Sequence, residues 1–350
     1  MPSVKVTLNS ERIERLKEYQ GWIKSADSIQ SDYWDYYSGL IDIKFHKNIV
    51  FLHGESGFYF PQKLNFINQL KNLTRLFPTR LSYYIFKVYG ILFSRPINCL
   101  STYQTAYENI WKQNPVTKRP SHSRNLKFKS LDNKVLNFRT IKEMIEAWPA
   151  SRTHILSEVI IQPYYHLQLI ESVLKNLQGI TVCEIGSGTG NLAALFFHHF
   201  NAKLFLVDLP KTLLFSFSYL SQTIPNAKIL LPNEIEAGNC DLSKHDIILM
   251  TPDQTSIISN QTVDLTINTS SMQEMKKTEI NFYFKMIDRI IKPSGYFFSN
   301  NRVEKIMSQE PIRFSEYPWR DHTRTIFFEI DPLSRLVKLD PNFIRMEQYP

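Results

Sequence analysis

Three glycines at alternate positions near the middle of the chain have the spacing of a nucleotide-binding loop. Gly186, Gly188 and Gly190 follow an apolar run at 181–185, which is typical of a buried parallel strand, and a helical pattern begins at Asn191. Glycine allows positive φ and lets the backbone approach a ligand closely. A strand, a glycine turn and a helix in this order indicate the ligand-binding corner of a doubly wound α/β sheet.

The spacing of these glycines disfavours a nicotinamide dinucleotide as the ligand. The dinucleotide fingerprint is G-x-G-x-x-G. Here the pattern is G-x-G-x-G, and Asn191 stands where the fingerprint needs its third glycine. An acid, Glu184, precedes the first glycine by two positions.

Asp208 ends a second apolar strand pattern, at 203–209, and lies 22 positions (208 − 186) after Gly186. At about this distance an acid accepts hydrogen bonds from the hydroxyls of a bound ribose. The structural alternative is that Asp208 only caps the helix that begins near Pro210. We favour the ribose role because strand, spacing and residue type agree.

Two segments compete for contact with an adenine base. If residues 247–250 form the third strand of the sheet, residues 253–254 (Asp-Gln) lie at its carboxyl end, where a side-chain oxygen can accept from the adenine amino group. If residues 228–231 form it instead, residues 233–234 (Asn-Glu) take that place. We take 247–250 as the third strand, and the adenine contacts stay open between the two pairs.

A fourth strand pattern, at 263–269, leads into a polar loop. Ligands of an open α/β sheet bind beyond the carboxyl ends of the strands, where the strand order reverses. The polar side chains expected at the reacting group are therefore Asn268, Ser270, Ser271, Gln273 and Glu274. A helix predicted at 158–174 precedes the first strand and brings Tyr164, Tyr165 or His166 toward the same region.

The order of the remaining elements predicts the fold class. A helix from Thr278 stops at the Lys-Pro-Ser-Gly of 292–295, and a fifth strand follows at 296–299. Two further strands are predicted in the tail, at 325–330 and 336–339. We therefore expect a doubly wound, Rossmann-like α/β sheet that is mostly parallel and ends in an antiparallel hairpin.

The first 150 residues carry no recognisable motif. We predict that residues 1–150 form a mostly helical region, serving as a substrate-binding, oligomer-forming or capping part, and that residues 151–350 form the ligand-binding domain. A helix is predicted at 9–24 and a hairpin or loop at 48–60. Residues 62–112 also have helical spacing.

Charge and composition restrict the class of partner. The chain has 350 residues, a net charge of +8 and a pI of about 9.2, but no block of basic residues marks a nucleic-acid groove. The apolar segment 83–93 is too short to span a bilayer, and a core helix or an oligomer contact explains it better than a membrane interface. We expect no nucleic acid and no transmembrane segment, and we leave peripheral membrane contact and a homo-oligomer open.

The cysteines indicate a reducing compartment. Cys99, Cys183 and Cys240 are far apart and have no C-x-x-C spacing, which argues against a zinc site and a disulfide framework. No carboxylate and histidine cluster has metal-ligand spacing, so we expect no metal. The first residues lack the apolar region of a signal peptide, and together these features predict a cytoplasmic protein.

Four motifs together resemble one family. They are the glycine loop at 184–190, Val-Asp-Leu-Pro at 207–210, the polar loop at 268–275 and Asn-Asn-Arg-Val-Glu-Lys at 300–305. With them, residues from about 160 to 305 resemble the class I S-adenosylmethionine (SAM) methyltransferases and, more narrowly, the bacterial sugar O-methyltransferases. The first two motifs indicate SAM binding, and the last two suggest the subfamily.

The resemblance implies a cofactor and a set of residues that bind it. SAM is the expected donor and S-adenosylhomocysteine the expected product, and an acid near the loop suits the positive charge and the ammonium group of SAM. The expected SAM-binding residues are Glu184, Gly186, Ser187, Gly188, Gly190, Asp208, Leu209, Asp253, Gln254, Asn268 and Ser270.

Methyl transfer to a sugar hydroxyl predicts further roles. Such a hydroxyl is a poor nucleophile, so a general base helps. Glu274 is our first choice and His166 our second, although Glu274 could equally be a hydrogen-bonding strut or a helix cap. The expected acceptor contacts are Gln273, Asn301, Arg302, Trp319, which could stack on a pyranose ring, and Arg320, which could pair with a phosphate. Ordinary packing of a C-terminal loop is the alternative for the last two.

Three functions remain open at this point. The first is O-methylation of a sugar, nucleotide sugar or glycan precursor by SAM. The second is methylation of RNA or of another small molecule. The third is a catalytically silent module with the same fold in a glycan-assembly complex.

Overall fold

The computed structural model describes residues 3–25, 41–53, 97–98, 137–138, 158–238, 241–307, 310–331 and 342–350. Its strands are β1 (Ser3–Thr7), β2 (Asp42–His46), β3 (Ile49–His53), β4 (Ile97–Asn98), β5 (Asn137–Phe138), β6 (Thr181–Ile185), β7 (Lys203–Val207), β8 (Ile229–Leu230), β9 (Ile247–Met250), β10 (Val263–Thr269), β11 (Ile291–Arg302), β12 (Glu304–Met307), β13 (Glu310–Arg313), β14 (Arg324–Ile330) and β15 (Asn342–Gln348). Its α-helices are α1 (Ser10–Ser25), α2 (Glu158–Val173), α3 (Asn191–Phe200), α4 (Pro210–Thr223), α5 (Pro232–Glu236) and α6 (Lys277–Ile290). Short 3-10 helices occupy Leu242–Lys244, Pro252–Ile257, Met272–Glu274 and Phe314–Glu316.

An eight-stranded sheet organises the second half of the chain. Its strand order is β14-β15-β11-β10-β6-β7-β9-β8. The six strands from β11 to β8 are parallel, whereas β15 runs antiparallel to both β11 and β14. The predicted fold class, a Rossmann-like α/β sheet with a final antiparallel hairpin, is confirmed.

The strand order reverses between β6 and β10. From β6 the chain runs outward through β7 to β8 and β9, and it then returns to place β10 against the other side of β6. Crossovers on the two sides of such a point leave a crevice at the carboxyl ends of the strands. The loops after β6, β7, β9 and β10 therefore surround one opening.

The third strand of the predicted sheet is β9. It pairs in parallel with β7, from Leu204 with Ile247 to Val207 with Met250. The segment at 228–231, which was the alternative third strand, contains β8, a two-residue strand at the sheet edge beyond β9.

Both faces of the sheet are covered by helices, as a parallel sheet requires. Along β7, Leu204 and Leu206 pack in one core with α1, α2, α3 and α4, whereas Phe205 and Val207 pack in a second core with α6. This alternation follows from the two-residue period of a strand. None of the helices within the described ranges is long and apolar enough for a membrane span.

The end of the chain differs from the prediction in three places. The fifth strand is longer than 296–299 and continues through residues 300–302, which pair with β15. The partner of β14 is β15, while the predicted strand at 336–339 lies outside the described residues. The hairpin of β12 and β13 has no counterpart in the prediction.

The described part of residues 1–150 contains β-structure as well as a helix. Strands β1, β3 and β2 form an antiparallel sheet, and α1 matches the predicted helix at 9–24. Strand β3 occupies the first part of the segment at 48–60 and forms a hairpin with β2, which precedes that segment. Residues 54–60 lie outside the described residues. The helical patterns at 62–112, including 83–93, lie outside the described residues apart from residues 97–98, which form β4.

The ends of β6 and β10 approach each other more closely than most side chains allow. Gly186 has φ of +70°, and a Cβ there would lie 2.1 Å from Oγ of Ser271. The Ser271 hydroxyl in turn donates to the Ile185 carbonyl at 3.2 Å. Glycine is therefore required at 186 by both backbone conformation and space.

We predict that Gly186→Ala destabilises the protein more than Gly179→Ala. Gly179 also has positive φ, +66°, but a Cβ there meets nothing within 4 Å. The control should lose about 1–2 kcal/mol for its left-handed backbone, and Gly186→Ala about 1–3 kcal/mol more for the overlap with Ser271. Urea unfolding of both variants measures the difference. Equal losses would contradict the close approach.

Candidate functional site

The glycine loop joins the ends of β6 and β7. Backbone N–H of Gly186 donates to the Val207 carbonyl at 2.8 Å, and N–H of Gly190 donates to the Ser187 carbonyl at 2.9 Å. Gly188 has φ of +56°, and a Cβ there would meet open space. The middle of the loop therefore presents its backbone to a space that a ligand can enter.

Asp208 is bound to this loop. One carboxylate oxygen, Oδ2, accepts from the backbone N–H of Gly188 at 2.7 Å, and Oδ1 accepts from that of Leu209 at 2.7 Å. Although part of its surface remains accessible, desolvation raises the pKa of Asp208 to about 6, against the lowering effect of these hydrogen bonds. The Thr212 side chain also donates to this carboxylate. A carboxylate has lone pairs for about four donors, so Asp208 can still accept from a ligand.

Glu184 is a second acid at the same end of the sheet. Its side chain is 4% exposed, and burial, followed by the negative charge of Asp208, raises its pKa to about 8. Neither carboxylate forms an ion pair with a Lys or Arg side chain of the described ranges. A cationic ligand would therefore stabilise the ionised form of both acids.

Glu274 lies on the opposite side of the opening, in the 3-10 helix after β10. Its Oε1 is 2.6 Å from Nζ of Lys305, and both side chains are largely buried. The negative charge of Glu274 also raises the pKa of Asp208. The loops after β6, β7 and β10 thus bring Glu184, Asp208 and Glu274 to one end of the sheet.

An amide network holds the strand ends on the β10 side. Asn268 donates from Nδ2 to the Ile185 carbonyl at 2.9 Å, and Asn301 donates from Nδ2 to Oδ1 of Asn268 at 2.7 Å. Oε1 of Gln273 accepts from the backbone N–H of Arg302 at 2.7 Å. Asn268 and Asn301 are fully buried and Gln273 is nearly so.

This network contains three of the predicted site residues. We expected Asn268 to bind the cofactor, and Gln273 and Asn301 to bind the acceptor. Their amides connect β6, β10 and β11 and so act as struts beneath the opening, while the ligand contacts stay predictions. The physical reason is that a buried amide needs a partner within the protein.

Ser270 lies at the turn between β10 and the Glu274 loop. It has φ of +58°, and its backbone N–H donates to the Asn300 carbonyl at 2.8 Å. Left-handed backbone is uncommon for serine, and such residues cluster at functional sites. The turn places Ser270 next to the end of β11, at the edge where we expect the ligand.

In each of the two segments predicted to contact the adenine, one of the two polar side chains is held by partners within the protein. Gln254 is buried, and its amide accepts from N–H of Thr251 and donates to the Pro232 carbonyl. Glu234 is held by Arg15, with Nε 2.6 Å from its Oε1. Asp253, which is exposed, and Asn233 are therefore the better placed candidates of the two pairs, and the contact of Gln254 stays a prediction.

Three buried polar atoms at the carboxyl ends of the strands have no hydrogen-bond partner within the described ranges. They are Oγ of Ser187 in the glycine loop, Oγ1 of Thr251 after β9 and Oδ1 of Asn233 in α5. A buried polar atom without a partner is costly. A ligand that hydrogen-bonds there would remove this cost.

His166 has a partner on the other face of β11. Its Nε2 lies 2.9 Å from Nδ2 of Asn300, which also donates to Oδ2 of Asp331 at 2.7 Å. The ring is 1% exposed and packs against Phe298. Because the Asn300 amide occupies Nε2, His166 does not enter our proposal as a base.

Trp319 and Arg320, the last two predicted acceptor contacts, have partners within the protein. The Trp319 ring packs on Phe314 and Phe284, with centroids 5.0 and 5.3 Å away, and its Nε1 donates to the Phe314 carbonyl at 2.9 Å. Arg320 forms an ion pair with Asp288 of α6. Both side chains therefore attach the C-terminal loop to α6 and the sheet, which the sequence pattern had left as the alternative.

Two features of the site were missed. Lys305 falls within the 300–305 motif, but nothing in the sequence pairs it with Glu274. Tyr19 is fully buried, and its hydroxyl donates to the Pro210 carbonyl, two residues after Asp208. No local pattern connects positions 19 and 210, so this contact had no sequence signal.

No group of three or more His, Cys, Asp or Glu side chains in the described part of the chain is arranged to bind a metal ion.

Comparison with known proteins finds similarity only among solved structures. No protein-family model matches the chain, and no curated protein does. A SAM-dependent methyltransferase from Aquifex aeolicus is 13% identical, and the match covers 54% of this chain and 89% of that one, at a TM-score of 0.35.

 The aligned region of that pair therefore spans about half of this chain and most of the other.

Two further structures show the same pattern. The PH0226 protein of Pyrococcus horikoshii is 14% identical and covers 55% of this chain and 94% of its own, at a TM-score of 0.37. A geranyl diphosphate methyltransferase, solved in complex with SAM, is 12% identical and covers 54% of this chain and 85% of its own, at a TM-score of 0.39. At such identities and scores, the fold assignment rests on the strand order and the functional argument on the site.

We predict that Glu184→Gln stabilises the ligand-free protein at alkaline pH. Between about pH 4.5 and 8, Glu184 is ionised in the unfolded chain and protonated in the folded one. Unfolding then releases a proton, so the free energy of unfolding falls as pH rises through this window. A glutamine at 184 does not titrate, so the free energy of unfolding of the variant does not fall for this reason. Its melting temperature should therefore exceed that of wild type at pH 8.5, with the gap closing toward pH 5.

Thermal unfolding between pH 5 and 9 measures this gap. Asp321→Asn is the control, since Asp321 is exposed and its replacement should leave the pH dependence of wild type unchanged. A gap that stays constant with pH, or that opens toward pH 5, would contradict a raised pKa at Glu184.

Proposed function

We propose that this chain is a SAM-dependent methyltransferase that acts on a hydroxyl of a sugar, nucleotide sugar or glycan precursor. The observation that carries the proposal is a pair of desolvated acids, the buried Glu184 and the partly buried Asp208, beside the open glycine loop at the switch point of the sheet. Both have raised pKa values and form no ion pair with a basic side chain of the described ranges. The positive charge of such a donor would stabilise the ionised form of both acids, and the hydroxyls of its ribose would donate to Asp208.

The residues of the opening fit SAM. Asp208 accepts the ribose hydroxyls through the lone pairs that the backbone leaves free, and Glu184 balances the positive charge of the donor. Gly188 lets the loop pass close to the ligand. The amide oxygen of Asn233, which has no partner in the described residues, accepts from the adenine amino group, with Asp253 as the second candidate.

Glu274 acts as the general base in this proposal. When bound, SAM supplies an electrophilic methyl group. The Glu274 carboxylate takes the proton of the acceptor hydroxyl, and the ion pair with Lys305 orients this carboxylate. The loop after β10 positions the acceptor, and most of the rate enhancement comes from this positioning.

A polyhydroxylated acceptor is supported by the polar character of the strand ends. Beyond β10 and β11 the chain presents Ser270, Arg302 and Glu274 near the opening, with Asn300 and Asp331 beneath. Hydroxyl groups of a sugar can pair with carboxylate, hydroxyl and guanidinium groups of this kind. The motifs at 268–275 and 300–305, which resemble sugar O-methyltransferases, favour the same class of acceptor.

We predict that S-adenosylhomocysteine binds the wild-type protein and that Asp208→Ala weakens binding at least about 100-fold. The reason is that the variant loses charged hydrogen bonds to the ribose, worth about 1.5–3 kcal/mol each. Isothermal titration measures both dissociation constants. The control is Asp321→Ala, which removes an exposed carboxylate and should bind as wild type does.

Circular dichroism and thermal unfolding must show that the Asp208 variant is folded, since Asp208 also accepts from the loop backbone. Absence of binding to folded wild type by both SAM and S-adenosylhomocysteine would refute the proposed function. Equal affinity of wild type and Asp208→Ala would refute the ribose assignment.

We predict that Glu274→Gln lowers kcat about 10²- to 10⁴-fold, as loss of a general base does. The dissociation constant for S-adenosylhomocysteine should stay within about twofold of the wild-type value, because this carboxylate acts on the acceptor hydroxyl and does not bind the donor. Methyl transfer is measured with the acceptor that a panel of nucleotide sugars and glycan precursors identifies. The control is Glu279→Gln, five positions along the chain, whose carboxylate accepts from N–H of Lys276 at 2.9 Å. An unchanged kcat in Glu274→Gln would exclude this residue as the base.

A further inference from the structure

The first helix of the chain lies along α4 and reaches the donor end of the sheet. Arg12, near the start of α1, donates to the Ser221 and Pro225 carbonyls at the far end of α4. Tyr19, two turns later, donates to the Pro210 carbonyl at the first residue of α4. The two helices therefore run antiparallel, and the second half of α1 lies at the carboxyl ends of the strands.

Tyr19 of α1 contacts the chain two residues after Asp208. It is fully buried, its ring stacks on Trp22 with centroids 5.5 Å apart, and its hydroxyl is 2.8 Å from the Pro210 oxygen. Burial raises the pKa of Tyr19 well above its ordinary value, so the hydroxyl stays protonated and donates. The bond fixes the peptide that follows Asp208 and Leu209.

Arg15 of the same helix holds α5, which carries Asn233. Its guanidinium makes two bonds to the Glu234 carboxylate, at 2.6 and 2.8 Å, and a third to the Ile229 carbonyl at 2.5 Å. Glu234 in turn accepts from the backbone N–H of Leu231. Bidentate pairs of this kind fix geometry as well as adding energy. Helix α5 has only five residues and gains its orientation from these contacts.

We infer that α1 is a positioning element of the donor site, in which Tyr19 holds Asp208 in place for the ribose hydroxyls and Arg15 holds Asn233 in place for the adenine. The inference rests on the proposed function and deepens it. It makes residues 10–25 part of the SAM-binding site, although α1 is 185 positions or more before Pro210 in the chain (210 − 25).

The test compares two ligands in wild type and in Tyr19→Phe. S-adenosylhomocysteine and its 2′-deoxy analogue differ by one ribose hydroxyl, so the ratio of their dissociation constants reports how well Asp208 is placed. Tyr19→Phe removes only the hydroxyl that holds Pro210. We expect it to weaken S-adenosylhomocysteine about 5- to 10-fold, as loss of one hydrogen bond does, and to reduce the 2′-deoxy ratio by a similar factor.

Arg12→Gln is the matched control. It removes contacts of the same helix with the far end of α4, so it should lower the melting temperature while leaving both dissociation constants as in wild type. A merely structural role of Tyr19 would give this same result for Tyr19→Phe. An unchanged 2′-deoxy ratio in folded Tyr19→Phe would therefore overturn the inference.

Arg15→Lys provides a second measurement on the same helix. It keeps the charge but loses the bidentate geometry with Glu234. We expect weaker binding of S-adenosylhomocysteine with an unchanged 2′-deoxy ratio, because the adenine side is affected and the ribose side is not. Unchanged affinity would remove Arg15 from the positioning role. If wild type binds neither ligand, the proposed function itself fails. If wild type binds both ligands and the variants bind them equally well, only the positioning role of α1 fails.

Discussion

The rest of the site depends on two neighbouring carboxylates, one buried and one partly buried, that form no ion pair with a basic side chain of the described residues. The parallel sheet brings the ends of β6 and β7 together, and with them Glu184 and Asp208. Desolvation raises the pKa of both acids, and the charge of Asp208 raises that of Glu184 further. At Asp208 the backbone N–H groups of Gly188 and Leu209 and the Thr212 side chain partly offset this, while the charge of Glu274 adds to it. The empty site is thus less stable than a site that holds a cationic ligand, and the same feature that costs stability provides affinity.

The polar residues around this pair are of two kinds: some hold the loops through hydrogen bonds within the protein, and others lie near the opening, where a ligand can contact them. Asn268, Gln273 and Asn301 satisfy one another and the backbone of neighbouring strands, so they hold the loops in place from below. Glu274 stands apart from this network and pairs with Lys305 near the opening. The difference follows from burial, because an amide beneath the loops must be satisfied by the protein, whereas groups at the rim can exchange a protein partner for a ligand.

The N-terminal segment belongs to the same structural unit as the site. Val6, Leu16 and Tyr19 share a hydrophobic core with α4 and the sheet, and the polar contacts of Arg12 and Arg15 surround that core. A helix of 16 residues gains most of its stability from such packing. The donor side of the opening is consequently built from two distant parts of the chain.

The sequence by itself determined the central sheet, the glycine loop and Asp208, since strand periodicity, glycine spacing and the distance to an acid are local patterns. Only the tertiary structure decided which polar residues are buried struts, that Trp319 packs on α6, and that Glu274 pairs with Lys305. It also decided that β15 forms at 342–348 and that α1 reaches Pro210. The physical reason is that burial and pairing depend on residues far apart in the chain, which meet only when the sheet has formed.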